Sequence, residues 1–184
     1  MLVDITLRIT PKMTSDANGN AKVTLAGHLG THFDVMNKEF PLEYTKRKGI
    51  VFDVKQIRDR DIEAGDIDMS KVEKDMFVAF YTGYIYEYEY GTAEYFSGHP
   101  QLSDNLIEQL LDAGVSIIGL DCSGIRRGAE HLPKDQHCAD RGVFVVENLY
   151  NLDSLLGKEN VMINTYPMSY AEMSGLPCRV IAEI

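Results

Sequence analysis

Short apolar runs separated by turn residues recur along most of the chain, and this pattern constrains the fold more than any other feature. Together they predict roughly seven β-strands. The runs lie at 3–9, 21–26, 49–54, 76–81, 115–120, 143–146, 161–164 and 179–184. Because helical segments do not alternate regularly with these runs, a doubly wound fold is not expected. We expect an α/β protein with a mixed β-sheet or barrel-like core and external helices.

One segment has clear helical periodicity. Its apolar residues Leu106, Ile107, Leu110 and Leu111 recur at the spacing of one helix face. Ser103 is a typical N-cap residue, and Gly114 is a typical residue after the last turn. The sequence therefore predicts a helix that begins after Ser103 and ends before Gly114.

Composition sets the broad class of the protein. A chain of 184 residues with 45% hydrophobic and 25% charged residues is typical of a single globular domain. Its net charge of −10 argues against a nucleic-acid partner. We find no apolar run of membrane-spanning length and no signal-peptide pattern, and therefore expect a cytoplasmic protein without a membrane partner. In that compartment its three cysteines would be reduced.

The segment from His28 to Asp34 contains two imidazoles and a carboxylate within seven residues. These are donors that suit Zn²⁺, Mn²⁺ or Fe²⁺. Gly30 allows the backbone between His28 and His32 to bend, so that both rings can point at one metal ion. A metal held in this way activates water at neutral pH, so the motif points to hydrolysis. His-x₃-His pairs also arise from ordinary packing, and the motif alone does not decide between these readings.

The chain resembles the cyclase family of metal-dependent hydrolases, which includes bacterial kynurenine formamidase and isatin hydrolase. Residues 28–34 are similar to the family's His-x-Gly-Thr-His-x-Asp core. Residues 81–103 resemble its Thr-Gly-aromatic, Tyr-Phe, His-Pro and Leu-Ser block. Residues 114–123 and 141–149 resemble a Gly-Ile-Asp-Ser segment and a strand that ends in a metal-binding glutamate.

This resemblance implies a swivelling β/β/α fold with a barrel-like sheet, assembled as a homodimer or a larger homo-oligomer. It also implies that His28, His32 and Asp34 bind a divalent metal, with Zn²⁺ favoured over Mn²⁺, and that Asp34 can bridge two ions. A downstream histidine and Glu147 would complete the second position. The implied reaction is hydrolysis of an amide, formamide or lactam in a small-molecule substrate.

The first departure from the family concerns the residue that transfers protons. The family motif continues from the aspartate as x-Pro-x-His, and that histidine is the acid/base. Here Met36 and Lys38 stand where proline and histidine are expected. Lysine is normally protonated at neutral pH and is a poor base, but Lys38 could stabilise an oxyanion as a fixed positive charge. A solvated loop lysine is the alternative.

The second departure concerns the downstream ligand. In the family, this histidine lies twelve residues before the glutamate, a position that Asp135 occupies in this chain, whereas His137 lies ten residues before Glu147. We predict His137 as the ligand, with a two-residue deletion in a loop-like stretch, and Asp135 as the alternative. The two residues would face about 200° apart on a helix, so a helix cannot direct both at one ion.

Further candidates lie in the segments that follow the metal motif. His131, in a predicted loop over 123–140, could replace the missing acid/base histidine as a catalytic residue. The alternating residues 84–90 suit either a half-exposed strand or an aromatic wall for a planar substrate. We expect a metal-dependent hydrolase. There are two alternatives. One is a metal- or small-molecule-binding protein that has lost its proton-transfer residue, and the other is a lyase or cyclase acting on a polar metabolite.

Overall fold

A computed structural model describes residues 1–184, with the side chain of Lys22 excepted. Its eight β-strands belong to one sheet. Their bounds are β1 Leu2–Asp4, β2 His32–Asp34, β3 Lys46–Asp53, β4 Phe77–Tyr81, β5 Ile117–Leu120, β6 Phe144–Glu147, β7 Val161–Pro167 and β8 Gly175–Glu183. Seven predicted runs thus overlap observed strands, and the mixed sheet with external helices is confirmed.

Strand β8 closes the sheet into a barrel. It pairs with β7 along one edge and with both β1 and β2 along the other. Around the barrel the order is β8-β2-β6-β5-β4-β3-β7 and back to β8, with β1 extending the sheet beside β2. Strands β3, β4, β5 and β6 are parallel to one another, and the remaining pairs are antiparallel. Closure leaves most strands paired on both edges.

Alternate residues of each strand pack on opposite sides of the barrel wall, as the period of a strand requires. In β4, Phe77, Ala79 and Tyr81 belong to the apolar cluster inside the barrel. Val78 and Phe80 belong to the outer cluster, which includes the apolar face of the helix predicted after Ser103. The core therefore has two parts, one inside the barrel and one between the barrel and its helices.

The helices lie mainly in the connections outside the barrel. They are α1 Pro11–Asp16, α2 Ala21–Thr24, α3 Tyr84–Glu87, α4 Ala93–Gly98, α5 Asp104–Ala113 and α6 His131–Asp140. Short 3₁₀ turns cover Leu42–Thr45, Ala64–Asp66, Met69–Lys71, Gly128–Glu130 and Leu152–Leu155. Helix α5 has the predicted bounds, with Ser103 as N-cap and Gly114 in the left-handed conformation at φ 72°. No helix in the part of the chain that the structure describes is long and apolar enough to span a membrane.

Replacing Ser103 with alanine is expected to lower the free energy of unfolding by about 1 kcal/mol, because its hydroxyl caps α5. Ser103 Oγ accepts a hydrogen bond from the Leu106 amide at 3.1 Å and donates one to Glu63 Oε2 at 2.7 Å. Urea unfolding measures the loss. The exposed Ser97, changed to alanine as the control, should stay within about 0.5 kcal/mol. Equal losses in both variants would contradict the capping role.

Three sequence predictions differ from the structure. Residues 21–26, predicted as a strand, contain helix α2, whose first turn bonds to the Asn20 carbonyl. Residues 84–90 begin with helix α3 rather than a strand or hairpin. The predicted loop over 123–140 contains helix α6, which accommodates Pro133 in its first turn, where no helical N–H bond is lost.

Candidate metal centre

Strand pairing brings three of the predicted ligands together on the outer face of the barrel. His32 of β2 lies directly opposite Glu147 of β6, and Asp34 lies opposite Val145. Because side chains alternate along a strand, His32 and Asp34 share one face while Phe33 points into the barrel. Directly opposed residues also share a face, which adds Glu147. All three polar side chains are almost completely buried.

The first donor cluster contains His28, His32 and Asp34. His28 Nδ1 lies 2.9 Å from His32 Nε2 and 3.0 Å from Asp34 Oδ1. His32 Nε2 lies 3.6 Å from Asp34 Oδ1 and the same distance from Glu147 Oε2. Two imidazole nitrogens and a carboxylate oxygen thus lie close enough together to bind a single metal ion.

The second donor cluster contains Asp34, His131, Asp135 and Glu147. His131 and Asp135 lie one turn apart on α6, so both side chains extend from one face of the helix. His131 Nε2 is 3.0 Å from Asp135 Oδ2 and 3.0 Å from Glu147 Oε1. Asp34 belongs to both clusters and is the residue placed to bridge two ions.

Hydrogen bonds fix which ring nitrogens face the clusters. The carbonyl of Gly30 is a pure acceptor, so His32 Nδ1 donates to it at 2.8 Å, which leaves Nε2 free to bind a metal. His28 Nε2 lies 2.9 Å from Ser174 Oγ, and its Nδ1 therefore faces Asp34. Such bonds to the far nitrogen are typical of metal-binding histidines.

Several buried oxygens of these clusters lack the partners that buried polar atoms normally have. Within the described residues, Asp34 Oδ2 and Asp135 Oδ1 have no hydrogen-bond partner, and Asp135 Oδ2 and Glu147 Oε1 approach His131 Nε2 to 3.0 Å without forming a hydrogen bond. Unsatisfied buried carboxylate oxygens are costly. A divalent cation would satisfy them and offset the charge of three carboxylates, so the donor set fits such an ion.

The pKa values of the site show how strongly these groups interact. Burial disfavours the charged form of His32, but the carboxylates of Asp34 and Glu147 outweigh it and raise the pKa to about 9. Burial raises the pKa of Asp135 to about 8, and the nearby charges of Asp34 and Glu147 contribute. Without a cation the cluster retains protons, and we expect metal binding to release them.

Supporting residues around the ligands are less visible in the sequence. Asn148, in the left-handed conformation at φ 56°, donates from Nδ2 to the Gly30 carbonyl and accepts from the Tyr95 hydroxyl. Thr31 donates to the Asn148 carbonyl at 2.7 Å rather than to a metal-binding residue. At Gly124, a Cβ atom would lie 3.1 Å from Glu147 Oε1, so glycine allows the backbone to approach the cluster.

The structure does not bring His137 to either cluster, which corrects its predicted placement. His137 Nε2 lies 2.8 Å from Glu108 Oε1 on α5, and its side chain is 41% exposed. The physical reason is that residues 131–140 form a helix, not the expected loop. Asp135 faces the cluster, and His137 lies about 200° further around the helix.

Lys38 also lies outside both clusters. Its Nζ is 2.7 Å from Asp140 Oδ1 at the end of α6, in an ion pair between two solvent-exposed side chains. The catalytic role predicted for Lys38 stays a prediction, and this contact does not support it. His131 does lie in the centre, but its Nε2 is directed at metal-donor oxygens.

His99 is fully buried, and its Nε2 has no hydrogen-bond partner among the described residues. Its Nδ1 donates to the Pro100 carbonyl at 2.9 Å. Burial lowers the pKa of His99 to about 4 from 6.5. Between these values the unfolded chain binds a proton that the native protein does not, so this histidine removes stability as the pH falls from 6.5 towards 4.

We therefore expect the metal-free protein to lose about 2 kcal/mol more stability between pH 7 and pH 5 than a His99→Gln variant does. Urea unfolding in the presence of a chelator at both pH values measures this difference. The exposed Ser97, which does not titrate, is changed to alanine as the control and should keep the wild-type pH dependence. A His99→Gln variant with the wild-type slope would contradict the assignment.

Solved structures with the same fold are described as hydrolases. A structure described as a potential metal-dependent hydrolase with cyclase activity aligns with a TM-score of 0.76 and 22% identity, covering 99% of this chain and 96% of that one. Isatin hydrolase A from Labrenzia aggregata, bound to benzyl benzoate, aligns with a TM-score of 0.75 and 17% identity, covering 99% and 93%. A predicted metal-dependent hydrolase from Bacillus stearothermophilus aligns at 0.70 and 19%, covering 99% and 97%.

At these identities the likeness defines the class of fold alone, a cyclase-like mixed barrel with external helices. The chain itself belongs to the cyclase family, because the family described as "Putative cyclase" matches residues 3–126. The match contains His28, His32 and Asp34 and ends before His131 and Glu147. None of the curated proteins matches the chain significantly.

Proposed function

We propose that this protein is a metal-dependent hydrolase that cleaves an amide, formamide or lactam C–N bond in a small metabolite. One observation carries the proposal: histidines and carboxylates from separate parts of the chain converge on Asp34, and several of their buried oxygens have no partner among the described residues. Family membership and the hydrolases that share the fold support it.

The residues that would hold the metal are His28, His32 and Asp34, with His131, Asp135 and Glu147 at the second position. When bound, a divalent cation supplies Lewis acidity, which lowers the pKa of a coordinated water and polarises a substrate carbonyl. Two imidazoles with one carboxylate suit Zn²⁺ at the first cluster, whereas three carboxylates with one imidazole favour a harder ion such as Mn²⁺ at the second.

The chain's own residues orient the donors and control access to them. The Gly30 carbonyl holds His32 with Nε2 towards the ions, and the buried carboxylates lie where bulk water is excluded. The side chains of His28 and His131 are 21% and 28% exposed, so a substrate would approach from their side of the centre. We assign His131 to metal binding; its catalytic role as acid or base stays the alternative.

Two measurements test the proposal. Protein purified without chelator should contain Zn²⁺ or Mn²⁺, or take it up, and should hydrolyse a member of a panel of formamides, lactams and cyclic imides. A His32→Ala variant, which removes a ligand, should lose both properties. Absence of metal that added Zn²⁺ or Mn²⁺ does not restore would overturn the proposal.

Within that panel, we expect N-formylkynurenine to be a poor substrate. Lys38, which stands where the family has its acid/base histidine, pairs with Asp140 instead of facing the cluster. Loss of general acid–base catalysis typically costs on the order of 10²–10⁴-fold in rate. A kcat/KM of about 10⁵ M⁻¹s⁻¹ or more would be that of an ordinary enzyme and would contradict this expectation.

The same ion pair favours a second candidate function, a metal- or small-molecule-binding protein without turnover. Full metal occupancy with no hydrolysis across the panel would support it, and lyase or cyclase activity on a polar metabolite is a further outcome of the same assay. The homo-oligomer and the cytoplasmic location expected from the sequence stay predictions. Analytical ultracentrifugation tests the first of them.

A further inference from the structure

Tyr90 lies beside the metal centre, in the connection between helices α3 and α4. Its hydroxyl oxygen accepts a hydrogen bond from the Gly30 amide at 2.8 Å. Its ring packs edge-on against Tyr95 and Phe96, with ring centroids 5.4 Å and 5.9 Å apart. The aromatic stretch that the sequence suggested as a wall thus does border the centre, through this residue.

Gly30 fixes Tyr90 relative to the metal ligands. The amide of Gly30 bonds to Tyr90, and its carbonyl accepts from His32 Nδ1. Gly30 is held in the left-handed conformation at φ 72°, and a Cβ there would lie 2.5 Å from Ile9 Cδ1. One constrained residue between His28 and His32 therefore positions both an imidazole ligand and a phenol hydroxyl.

The hydroxyl proton of Tyr90 is available to a ligand. A phenol can accept one hydrogen bond and donate another. Within the described residues, the Tyr90 hydroxyl accepts a hydrogen bond from the Gly30 amide and donates none. Burial raises the pKa of Tyr90, and the charge of Glu147 adds to this, so the hydroxyl stays protonated near neutral pH.

Neighbouring tyrosine hydroxyls have partners in the protein. Tyr84 donates to the Glu94 carbonyl at 2.8 Å, and Tyr95 donates to Asn148 Oδ1 at 2.7 Å. Tyr86 bonds to Asp153 Oδ1 at 3.2 Å. Tyr88 is exposed, and its ring stacks on Tyr84. Tyr90 combines a position at the metal centre with an unused donor.

We propose that Tyr90 is a substrate-contacting residue: its hydroxyl donates a hydrogen bond to an acyl oxygen of the substrate, and its ring forms one wall of the binding site. This inference rests on the proposed function, because it assigns a role within the same centre. It narrows the substrate class to small molecules with a carbonyl or carboxylate group. When such a molecule is bound, the oxygen of this group would lie next to the metal-binding residues.

The alternative is that the hydroxyl only holds the Gly30 amide in place. Then a Tyr90→Phe variant would disturb Gly30, and through its carbonyl His32, so metal affinity would fall. If instead the hydroxyl contacts the ligand, metal affinity would be retained and ligand affinity would fall. The two roles thus affect different measurements.

The experiment titrates acetohydroxamate, a small acyl ligand that chelates metals, into the Zn²⁺-loaded protein by calorimetry. For Tyr90→Phe we expect a Kd for Zn²⁺ within about 2-fold of wild type and a Kd for acetohydroxamate at least about 10-fold weaker, the usual effect of losing a hydrogen bond to a charged group. Tyr88→Phe, a matched loss of a hydroxyl two residues away, should leave both constants unchanged.

Three outcomes would overturn the inference: equal acetohydroxamate affinity in wild type and Tyr90→Phe, a loss of Zn²⁺ affinity in that variant comparable to His32→Ala, or no binding of acetohydroxamate to the Zn²⁺-loaded wild type. The proposed function fails separately. If the substrate panel shows no turnover but Tyr90→Phe still weakens acetohydroxamate binding selectively, Tyr90 is a ligand-binding residue of a non-hydrolytic protein.

Discussion

Replacing Asp34 with asparagine is expected to weaken divalent-metal binding at both donor clusters by at least about 100-fold. Asp34 is the residue that the two clusters share, and its side chain is 3% exposed, so no water-exposed carboxylate can take its place. Even residues that merely support metal ligands contribute about 10–100-fold to affinity. Competition titrations with a chromophoric chelator measure the loss for Zn²⁺ and for Mn²⁺.

The matched control is Asp140→Asn, which neutralises an exposed carboxylate that pairs with Lys38. It should bind both metals as the wild type does. If Asp34→Asn loses one ion and retains the other at full affinity, Asp34 belongs to one metal position and does not bridge. If it retains both, the metal centre lies elsewhere.

Replacing Asp135 with alanine is expected to abolish binding at the second position, whereas His137→Ala leaves it within about 2-fold. The Asp135 carboxylate is buried among the described residues, and neither oxygen forms a hydrogen bond, although Oδ2 lies 3.0 Å from His131 Nε2. His137 instead pairs with Glu108. The first cluster contains neither residue, so binding there should persist in both variants.

Electron paramagnetic resonance of bound Mn²⁺ gives the occupancy of the second position in each variant. An Asp135→Asn variant controls for the cavity that alanine leaves, because it keeps the volume of the side chain while removing the charge. The prediction of His137 as the ligand would be supported if His137→Ala loses the Mn²⁺ signal while Asp135→Ala keeps it.

Much of the sheet was predictable because its strands are apolar and bounded by turn residues. Strand β4 and helix α5 follow directly from hydrophobic periodicity, and Ser103 and Gly114 mark the ends of α5. The approach of His28 and His32 to Asp34 was also predictable, because all three lie within seven residues. Their local spacing limits how far apart the side chains can be.

The second half of the centre was harder to predict because it depends on one helix. Helix α6 has a weak apolar pattern and contains Pro133, and neither feature indicates a helix in the sequence. Once residues 131–140 are helical, the one-turn spacing of His131 and Asp135 places both side chains on one face. The twelve-residue spacing from Asp135 to Glu147 was the signal in the sequence that favoured Asp135.

The three-way pairing of β8 has a consequence for how the protein folds during synthesis. Strand β2 carries His32 and Asp34, but its two neighbours are β6 and β8, which begin only at Phe144 and Gly175. At about 5–20 residues per second, a ribosome needs on the order of ten seconds to proceed from β2 to β8. Throughout that time the first donors are synthesised but lack their scaffold. We therefore expect metal binding to be a late event, one that follows the synthesis and docking of β8.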